Sequence, residues 1–313
     1  MSLGSGRIEY SFLQMPMRRL FKTAQRVIAR SLEDDLINLA KAAAFSGMLM
    51  LFPAVLVGTM ALSLVHEGTT LAGAMRGTFE QFLPADTLDL IQSYMLNRRV
   101  VTSQLMVSAT CLSLFAGLGV MLSLMEGFRR AYGLPAGDWG FWPRRLRALL
   151  LVPIALVPLA VATLAIVFGQ PIEHWMIANA RHELRYVVIF LWRMVRWLVA
   201  LLTSVAVMSA IYHFGTRHKE HWVRVAPGAV TGTLIWFPAT LAYGWYVTRV
   251  ANYSLLYGSF GTGIATLVWL YITSFSVMLG AELNGLQYGR RQRRRSAPHA
   301  ASGPERHGIA SGL

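Results

Sequence analysis

Apolar residues along this chain fall into six long stretches, and the segments between them carry most of the charged residues. Each stretch is near or above the roughly 18–20 residues with which an apolar helix crosses the hydrocarbon core of a bilayer. The pattern therefore predicts an all-α fold, a polytopic membrane bundle with six transmembrane helices. Their approximate limits are residues 42–65, 105–125, 148–168, 187–214, 225–247 and 262–279.

The composition agrees with a membrane protein and excludes an ordinary soluble domain. Of the 313 residues, 55% are hydrophobic and 14% charged, and the mean hydropathy is +0.46. About 25% of residues are charged in a typical globular protein, so too few charges are present to cover a soluble surface of this size. The single cysteine, Cys111, excludes an intrachain disulfide and a cysteine-based zinc site.

The basic residues are distributed unevenly between the two sides of the predicted bundle. The chain carries 29 lysines and arginines, of which 20 fall in the two terminal segments and in the second and fourth connections. Six fall on the opposite side. Because cytoplasmic segments carry the excess of Lys and Arg, both termini are predicted to be cytoplasmic. This topology also accounts for the net charge of +14.

The first forty residues are predicted to form a cytoplasmic arm, residues 1–40. Within it, apolar positions recur at helical intervals from Met17 to Ile28, with basic residues between them. A helix of this kind either lies on an anionic membrane surface or packs against the bundle. The arm is therefore predicted to contain an amphipathic interfacial helix.

The transmembrane domain is predicted to span residues 41–288. It includes a long outer segment, about 67–102, whose apolar spacing indicates two short amphipathic helices broken at Pro84. A connection of this length with its own apolar faces is expected to cover the outer mouth of a cavity. Residues 289–313 are rich in Arg, Ser, Ala, Gly and Pro, and are predicted to form a disordered cytoplasmic tail.

Charged residues near the predicted spans are the first candidates for a site. Arg193 and Arg196 lie three residues apart on one face of the fourth span, where they either bind an anionic head group or extend to the outer surface. Glu126 and Glu282 fall at the cytoplasmic ends of the second and sixth spans. With Lys41 at the start of the first span, these carboxylates form either an inner gate or an interfacial ion-pair cluster.

Histidines near the end of the fourth span raise the question of a metal-dependent nuclease. His213, His218 and His221 lie close together beside Glu220, but their spacing matches no helical metal motif. The arginine-rich run at 290–295 favours membrane topology or anionic lipid over nucleic acid, because no aromatic stacking surface accompanies it. We therefore expect no cofactor, no enzymatic activity and no nucleic-acid partner.

Several sequence segments, taken together, resemble the YihY / virulence factor BrkB family. The segments are Ala42-Ala43-Ala44-Phe45-Ser46 with Leu51-Phe52-Pro53, Phe128 to Tyr132, Phe141-Trp142, Trp222 to Ala229, Asn252-Tyr253 with Tyr257 to Gly261, Leu267 to Tyr271, and Gly280 to Asn284. The resemblance covers about residues 30–288. It implies a six-helix bacterial inner-membrane protein. The family was formerly labelled ribonuclease BN, and no catalytic residues can be carried over from it.

The leading hypothesis is a protein that transports or handles a lipid or another anionic, amphipathic molecule at the cell envelope. Prolines within the spans suggest an internal cavity, because each removes a backbone donor that protein or water must compensate. In this hypothesis Asn252, Tyr253 and Tyr257 line the outer mouth, and membrane lipids are the partners. The alternatives are a membrane-associated, metal-dependent ribonuclease and a non-transporting scaffold that binds an envelope protein through its outer segment.

Overall fold

The computed structural model describes residues 17–65, 103–135, 140–157, 185–216, 220–249 and 260–301. Within these ranges the chain is almost entirely helical, and the described residues contain no strand. The helices are α1 (Met17–Glu33), α2 (Leu36–Val65), α3 (Ser103–Ala131), α4 (141–157), α5 (Arg185–Gly215), α6 (Trp222–Arg249) and α7 (Phe260–Ala301). The predicted all-helical fold is thus confirmed for this part of the chain.

Five of the described helices are long and apolar enough to cross a membrane. The corresponding segments are Leu36–Gly58, Met106–Ala131, Phe190–Gly215, Trp222–Arg249 and Phe260–Gln292. They coincide with five of the six predicted spans. Of the remaining predicted span, 148–168, helix α4 describes only the first part, and the predicted outer segment 67–102 lies outside the described residues.

Prolines do not interrupt the described helices. Helix α2 continues through Pro53, and α6 continues through both Pro227 and Pro238. Hydroxyl side chains bond to backbone carbonyls one turn earlier along α6, and the hydroxyl of Thr231 donates to the carbonyl of Pro227 at 2.8 Å. Each proline frees the carbonyl four residues before it, that of Val223 for Pro227 and that of Leu234 for Pro238, and transmembrane helices tolerate such breaks where other groups compensate.

Helix α7 lies at the centre of the bundle and packs against α1, α2, α3 and α6. The most extensive contacts join α2 to α3 and α6 to α7, while α5 packs mainly on α6. Small residues permit close approach where helices cross. A Cβ at Gly117 of α3, for example, would meet Val152 of α4 at 2.9 Å. Membrane helices commonly pack through small residues in this way, because lipid provides no hydrophobic drive for their association.

The best buried side chains gather towards one end of the bundle. Phe128, Leu151, Tyr212 and Met278 are essentially inaccessible there, and the rings of Phe128 and Tyr212 meet edge to face at 5.2 Å. Towards the other end, α5 and α6 expose large apolar side chains, among them Phe190, Leu191, Leu198, Leu241 and Trp245. Exposed apolar faces of this extent are expected where helices contact lipid.

Helix α1 packs against the bundle on one face and leaves an amphipathic surface exposed on the others. Val27 is buried against Leu279 and Leu283 of α7, whereas Phe21 and Ile28 are exposed on another face of the helix. Lys22 and Arg26 are exposed as well. One face therefore fastens α1 to the bundle, and the rest remains apolar and basic, as suits a membrane surface.

The start of the predicted tail differs from expectation. Instead of becoming disordered at residue 289, α7 continues as a helix to Ala301. Arginine and glutamine are good helix formers, and they extend a helix that is already anchored by packing. At the start of this segment, Arg291 reaches Glu220 at 3.3 Å, and Gln292 donates to Tyr288 of the same helix at 2.9 Å. Residues 302–313 lie outside the described part.

Candidate functional site

Charged and polar side chains of several helices meet at the well-packed end of the bundle, which we call the charged end. It is formed by the last turns of α1, α3 and α5, the first turns of α2, α4 and α6, and the part of α7 around Glu282 to Arg291. Its principal charged residues are Arg30, Asp34, Asp35, Glu126, Arg129, Arg130, Arg144, Glu220, Arg224, Glu282 and Arg291. The basic members all belong to the set that charge counting assigned to one side.

Glu126 of α3 binds three arginines, a group that we call the Glu126 cluster. Arg129 donates through Nε at 3.1 Å and Nη2 at 2.6 Å, Arg130 through Nε at 3.3 Å, and Arg144 of α4 through Nη2 at 3.0 Å. The four side chains are between 20% and 33% exposed. One carboxylate therefore faces three guanidinium groups, which leaves an excess of positive charge at a partly accessible surface.

Arg130 also ties the cluster to the turn between α1 and α2. Its Nη1 donates to the carbonyl of Asp34 at 3.3 Å and to the carboxylate of Asp35 at 3.4 Å. Asp35 has a φ of 58°, a left-handed conformation that Asp adopts more readily than most residues. The tight turn thus presents a backbone carbonyl and a carboxylate to the same guanidinium group.

Aromatic side chains flank the Glu126 cluster at the start of α4. Phe141 is 62% exposed and Trp142 is 76% exposed. The guanidinium carbon of Arg145 lies 3.6 Å from the centre of the Phe141 ring, a cation–π contact. Exposed aromatic residues beside arginines at a helix end are typical of the level at which lipid head groups lie.

A second acidic centre is buried between α1 and α7. The side chain of Glu282 has 0% exposure, and the Nε of Arg30 lies 3.2 Å from its Oε1. Nη2 of the same arginine lies 3.9 Å from Oδ2 of Asp34. These are ion pairs rather than hydrogen bonds, since the two oxygens of Glu282 and the Oδ2 of Asp34 have no hydrogen-bond partner among the described residues.

A third centre lies around Glu220, between α5 and α6. Its carboxylate pairs with Arg224 at 3.7 Å and with Arg291 of α7 at 3.3 Å. His213 shares a hydrogen bond with the Glu220 carbonyl through Nδ1 at 2.7 Å, and its ring stacks on Trp222 at 4.6 Å. This histidine is therefore engaged in packing the connection between the two helices.

Asn284 of α7 bonds directly to the backbone of α6. Its Oδ1 accepts a hydrogen bond from the N–H of Gly228 at 2.9 Å, and its Nδ2 donates to the carbonyl of Val225 at 3.0 Å. Nearby, the hydroxyl of Tyr212 donates to the carbonyl of Val277 at 2.6 Å. These bonds connect α5, α6 and α7 within the core, where an unpaired polar group would be costly.

Tyr132, just beyond α3, joins this polar network. Asn284 lies beside its hydroxyl, and its ring lies 5.7 Å from that of Tyr288. Burial raises the pKa of the Tyr132 hydroxyl, and the negative charge of Glu220 raises it further. Because the neutral form is favoured, Tyr132 remains a hydrogen-bond donor at physiological pH.

The structure brings only part of the predicted site together. Glu126 and Glu282 both lie at the charged end, but in separate clusters that share no partner. Lys41, which the sequence analysis associated with them, donates instead to Asn38 at 3.2 Å. Arg193 and Arg196 belong to α5, three residues apart, and their side chains lie outside the description.

The other predicted positions are not described. Asn252, Tyr253 and Tyr257 lie outside the described residues, as does His218. In the described ranges, no group of three or more His, Cys, Asp and Glu side chains is placed to hold a metal ion. The predicted outer mouth therefore stays a prediction.

Sequence reasoning missed several of the residues that form the charged end. Arg30 was counted only as a topology signal, and Asp34, Tyr212 and Asn284 were given no role. A signal for Asn284 was nevertheless present. The two motif segments Trp222 to Ala229 and Gly280 to Asn284 were noted separately, and the structure packs them against each other.

The chain matches the protein family described as virulence factor BrkB over residues 27–304. It is 29% identical over 219 residues to the ribonuclease-like protein YfkH of Bacillus subtilis, covering 69% of this chain and 78% of that protein. A UPF0761 membrane protein of Legionella pneumophila is 25% identical over 265 residues, covering 82% of this chain and 60% of the relative. No solved structure matches the chain.

A third relative matches most of the chain at a similar level of identity. A UPF0761 membrane protein of Aromatoleum aromaticum is 24% identical over 275 residues, which cover 86% of this chain and 64% of that protein. The chain thus spans less than two thirds of the length of both UPF0761 relatives.

Proposed function

The chain belongs to the virulence factor BrkB family, and we propose that it is a bacterial inner-membrane protein that transports or handles an anionic, amphipathic molecule, a lipid. In this proposal the bundle has six spans, and residues 148–168 form the third of them, in addition to the five described. The charged end and both termini face the cytoplasm, in accordance with the distribution of the basic residues.

The observation that carries the proposal is the excess of guanidinium groups in the Glu126 cluster. The three arginines share two carboxylates, Glu126 and Asp35, and remain partly exposed, so one positive charge is left to attract a further anion. Arginine matches phosphate particularly well because its planar fork donates two parallel hydrogen bonds. In the described contacts, Arg144 uses only Nη2, towards Glu126 and the carbonyl of Leu122.

The surroundings of the cluster favour a lipid phosphate over a soluble one. Leu146 and Leu150 of α4 are each 61% exposed and continue the surface that begins with Phe141 and Trp142. A lipid whose head group pairs with Arg144 can lay its acyl chains along this apolar surface. The aromatic rings then occupy the interfacial level that Trp and other aromatic residues prefer.

The predicted site residues define the remainder of the proposed path. Arg193 and Arg196 receive the head group in the outer half of the membrane, with Asn252, Tyr253 and Tyr257 at the outer mouth. Glu126 and Glu282 lie at the inner gate. An arginine pair within a span is costly unless it is paired or functional, and an anionic head group would provide the partner.

Lipid retention provides the first test. Protein solubilised gently from membranes is analysed by native mass spectrometry, and the bound lipids are extracted and compared with the bulk mixture. We expect enrichment of an anionic lipid in the wild type and a several-fold loss of it in Arg144→Gln. Arg224→Gln is the matched control, because it removes the same charge at the same end outside the Glu126 cluster. Retention of only the bulk lipid mixture by the wild type would overturn the proposal.

Movement of lipid requires a separate assay. The protein is reconstituted into vesicles of zwitterionic and anionic phospholipid, and the transfer of a fluorescent anionic lipid between leaflets is followed. We expect faster transfer than in empty vesicles, and a decrease in Arg193→Ala/Arg196→Ala. Selective retention without transfer would reduce the function to lipid binding, as in a scaffold.

We propose that this activity involves no catalysis. The ribonuclease-like name belongs to the Bacillus relative, and in this chain His213 is engaged by Trp222 and by the Glu220 carbonyl. The test is incubation of the purified protein with RNA and added divalent metal. Cleavage that disappears in His213→Ala would contradict the proposal.

A further inference from the structure

Two carboxyl groups lie side by side between α1 and α7. Glu282 comes from the middle of a packed helix, and Asp34 comes from the turn that follows α1. Both groups lie against the same guanidinium group, that of Arg30, at 3.2 Å from Glu282 and 3.9 Å from Asp34. Neither can donate a hydrogen bond when ionised, because a carboxylate is an acceptor only. The contact is therefore repulsive unless something positive lies between them.

The surrounding charges leave one negative charge unbalanced. Arg30 is the cation that pairs with both carboxylates, and Glu33 adds a more distant negative charge from α1. On the α3 side, Arg130 donates to the backbone carbonyl of Asp34 and to the neighbouring Asp35. One guanidinium group thus pairs with two carboxylates, the buried Glu282 and the half-buried Asp34.

Burial makes this imbalance costly. Glu282 has 0% side-chain exposure, and three oxygens of the pair have no hydrogen-bond donor among the described residues. A buried charge without a partner is neutralised more readily than it is tolerated. A proton on one carboxyl group turns it into a donor towards the other and cancels the excess charge in a single step.

We infer that Asp34 and Glu282 form a proton-binding site that holds one proton between their carboxyl groups and thereby fastens α1 to α7. A metal cation fits the site less well. Hard cations such as Ca²⁺ take six or more oxygen ligands, and the pair provides only three unsatisfied oxygens. The inference concerns helix docking and does not rest on the proposed lipid transport.

The geometry also gives the proton a route to water. The side chain of Asp34 is 26% exposed, whereas that of Glu282 is fully buried. When the pH rises and the pair loses its proton, two carboxylates face each other beside one arginine. Their repulsion favours separation of α1 from α7 and hydration of Glu282. Docking of the amphipathic helix is therefore coupled to proton binding.

Infrared spectroscopy tests for the proton directly, on the full-length protein in lipid nanodiscs. The C=O stretching band of a protonated carboxyl group is recorded across a pH titration, in H₂O and D₂O. We expect such a band at neutral pH in the wild type, its loss in Glu282→Gln, and its retention in the control Glu33→Gln, which changes an exposed carboxylate of α1. Absence of the band from the wild type at neutral pH would overturn the inference.

Distance measurements test the coupling to α1. Spin labels are placed on cysteines introduced at Gln25 and Arg290, two exposed positions on α1 and α7, after Cys111→Ser. We expect the distance distribution of the wild type to broaden as pH rises, and those of Glu282→Gln and Asp34→Asn to remain narrow, because a neutral side chain replaces one carboxylate. In Glu33→Gln the distribution should still broaden as pH rises, because both carboxyl groups of the pair remain. An identical pH response in all variants, or a response to sodium at constant pH, would contradict a shared proton.

Discussion

Asn284 of α7 accepts a hydrogen bond from the backbone N–H of Gly228 in α6, with a distance of 2.9 Å between the two heavy atoms. The same side chain donates to the carbonyl of Val225, so one amide satisfies a donor and an acceptor of the neighbouring helix. A bond of this kind forms only at one axial position. It therefore fixes the register between the two helices as well as their separation.

The close approach of α6 and α7 depends on Gly228. A Cβ at this position would collide with the side chain of Asn284 and with the carbonyl oxygen of Gly280. We expect Gly228→Ala to lower the free energy of unfolding by about 1–3 kcal/mol, because the helices must separate to accommodate the methyl group. The measurement is thermal unfolding of the purified protein in detergent.

Gly244→Ala in the same helix is the matched control. A Cβ at Gly244 would meet no atom within 4 Å. We expect this variant to unfold at the same temperature as the wild type or slightly above it, since alanine has a higher helix propensity than glycine. Equal destabilisation by the two substitutions would show that helix propensity, rather than the crossing, determines the effect.

Asn284 should contribute to stability through its two buried hydrogen bonds. We expect Asn284→Ala to cost about 1–3 kcal/mol, the range for leaving a buried polar group without its partner. Asn38→Ala provides the comparison. Asn38 is an exposed residue that donates to Asp35 at 2.6 Å, and its loss should have a smaller effect. If both variants unfold alike in a denaturant titration, the bonds of Asn284 contribute no more than surface ones.

The hydroxyl of Tyr212 links α5 to α7 at a fully buried position. We expect Tyr212→Phe to reduce stability by about 1 kcal/mol, since the ring is kept and only the hydrogen bond to Val277 is lost. Tyr246→Phe, at an exposed position of α6, should be neutral. Thermal unfolding of the two variants in parallel distinguishes the contribution of the hydrogen bond from a general effect of removing a hydroxyl.

Arg30 and Glu282 should be energetically coupled. Removing one partner of a buried ion pair costs about 3–5 kcal/mol, and we expect nearer 2 kcal/mol for Arg30→Ala, because that side chain is 35% exposed. Combining it with Glu282→Gln should restore much of the loss, since the neutral amide needs no cation. A double-mutant cycle measured at neutral pH gives the coupling energy, and strictly additive effects would show that the pair is not coupled.

The sequence predicted the class of the protein and the course of most helices. It did so because a bilayer imposes a local rule, that a span needs a certain length of apolar residues, and each stretch can be recognised without knowledge of its neighbours. Five of the predicted spans coincide with described helices. The basic residues at their ends likewise follow a local rule. The helical continuation to Ala301 departs from the composition-based prediction, because anchoring of α7 by its neighbours outweighed the polar character of the segment.

The positions of the charged residues along the sequence also identified Glu126 and Glu282 as candidates. The sequence could not predict which side chains pair with these two carboxylates. Glu126 meets arginines of its own helix and of α4, whereas Glu282 meets Arg30 from near the start of the chain. Which side chains meet depends on how the helices cross, and that is determined by small residues such as Gly228 and by buried bonds such as that of Asn284. The sequence alone therefore determined a membrane bundle with charged helix ends. Only the tertiary structure decided that one arginine pairs with both the buried Glu282 and the half-buried Asp34, because that arrangement arises from the packing of α1 on α7.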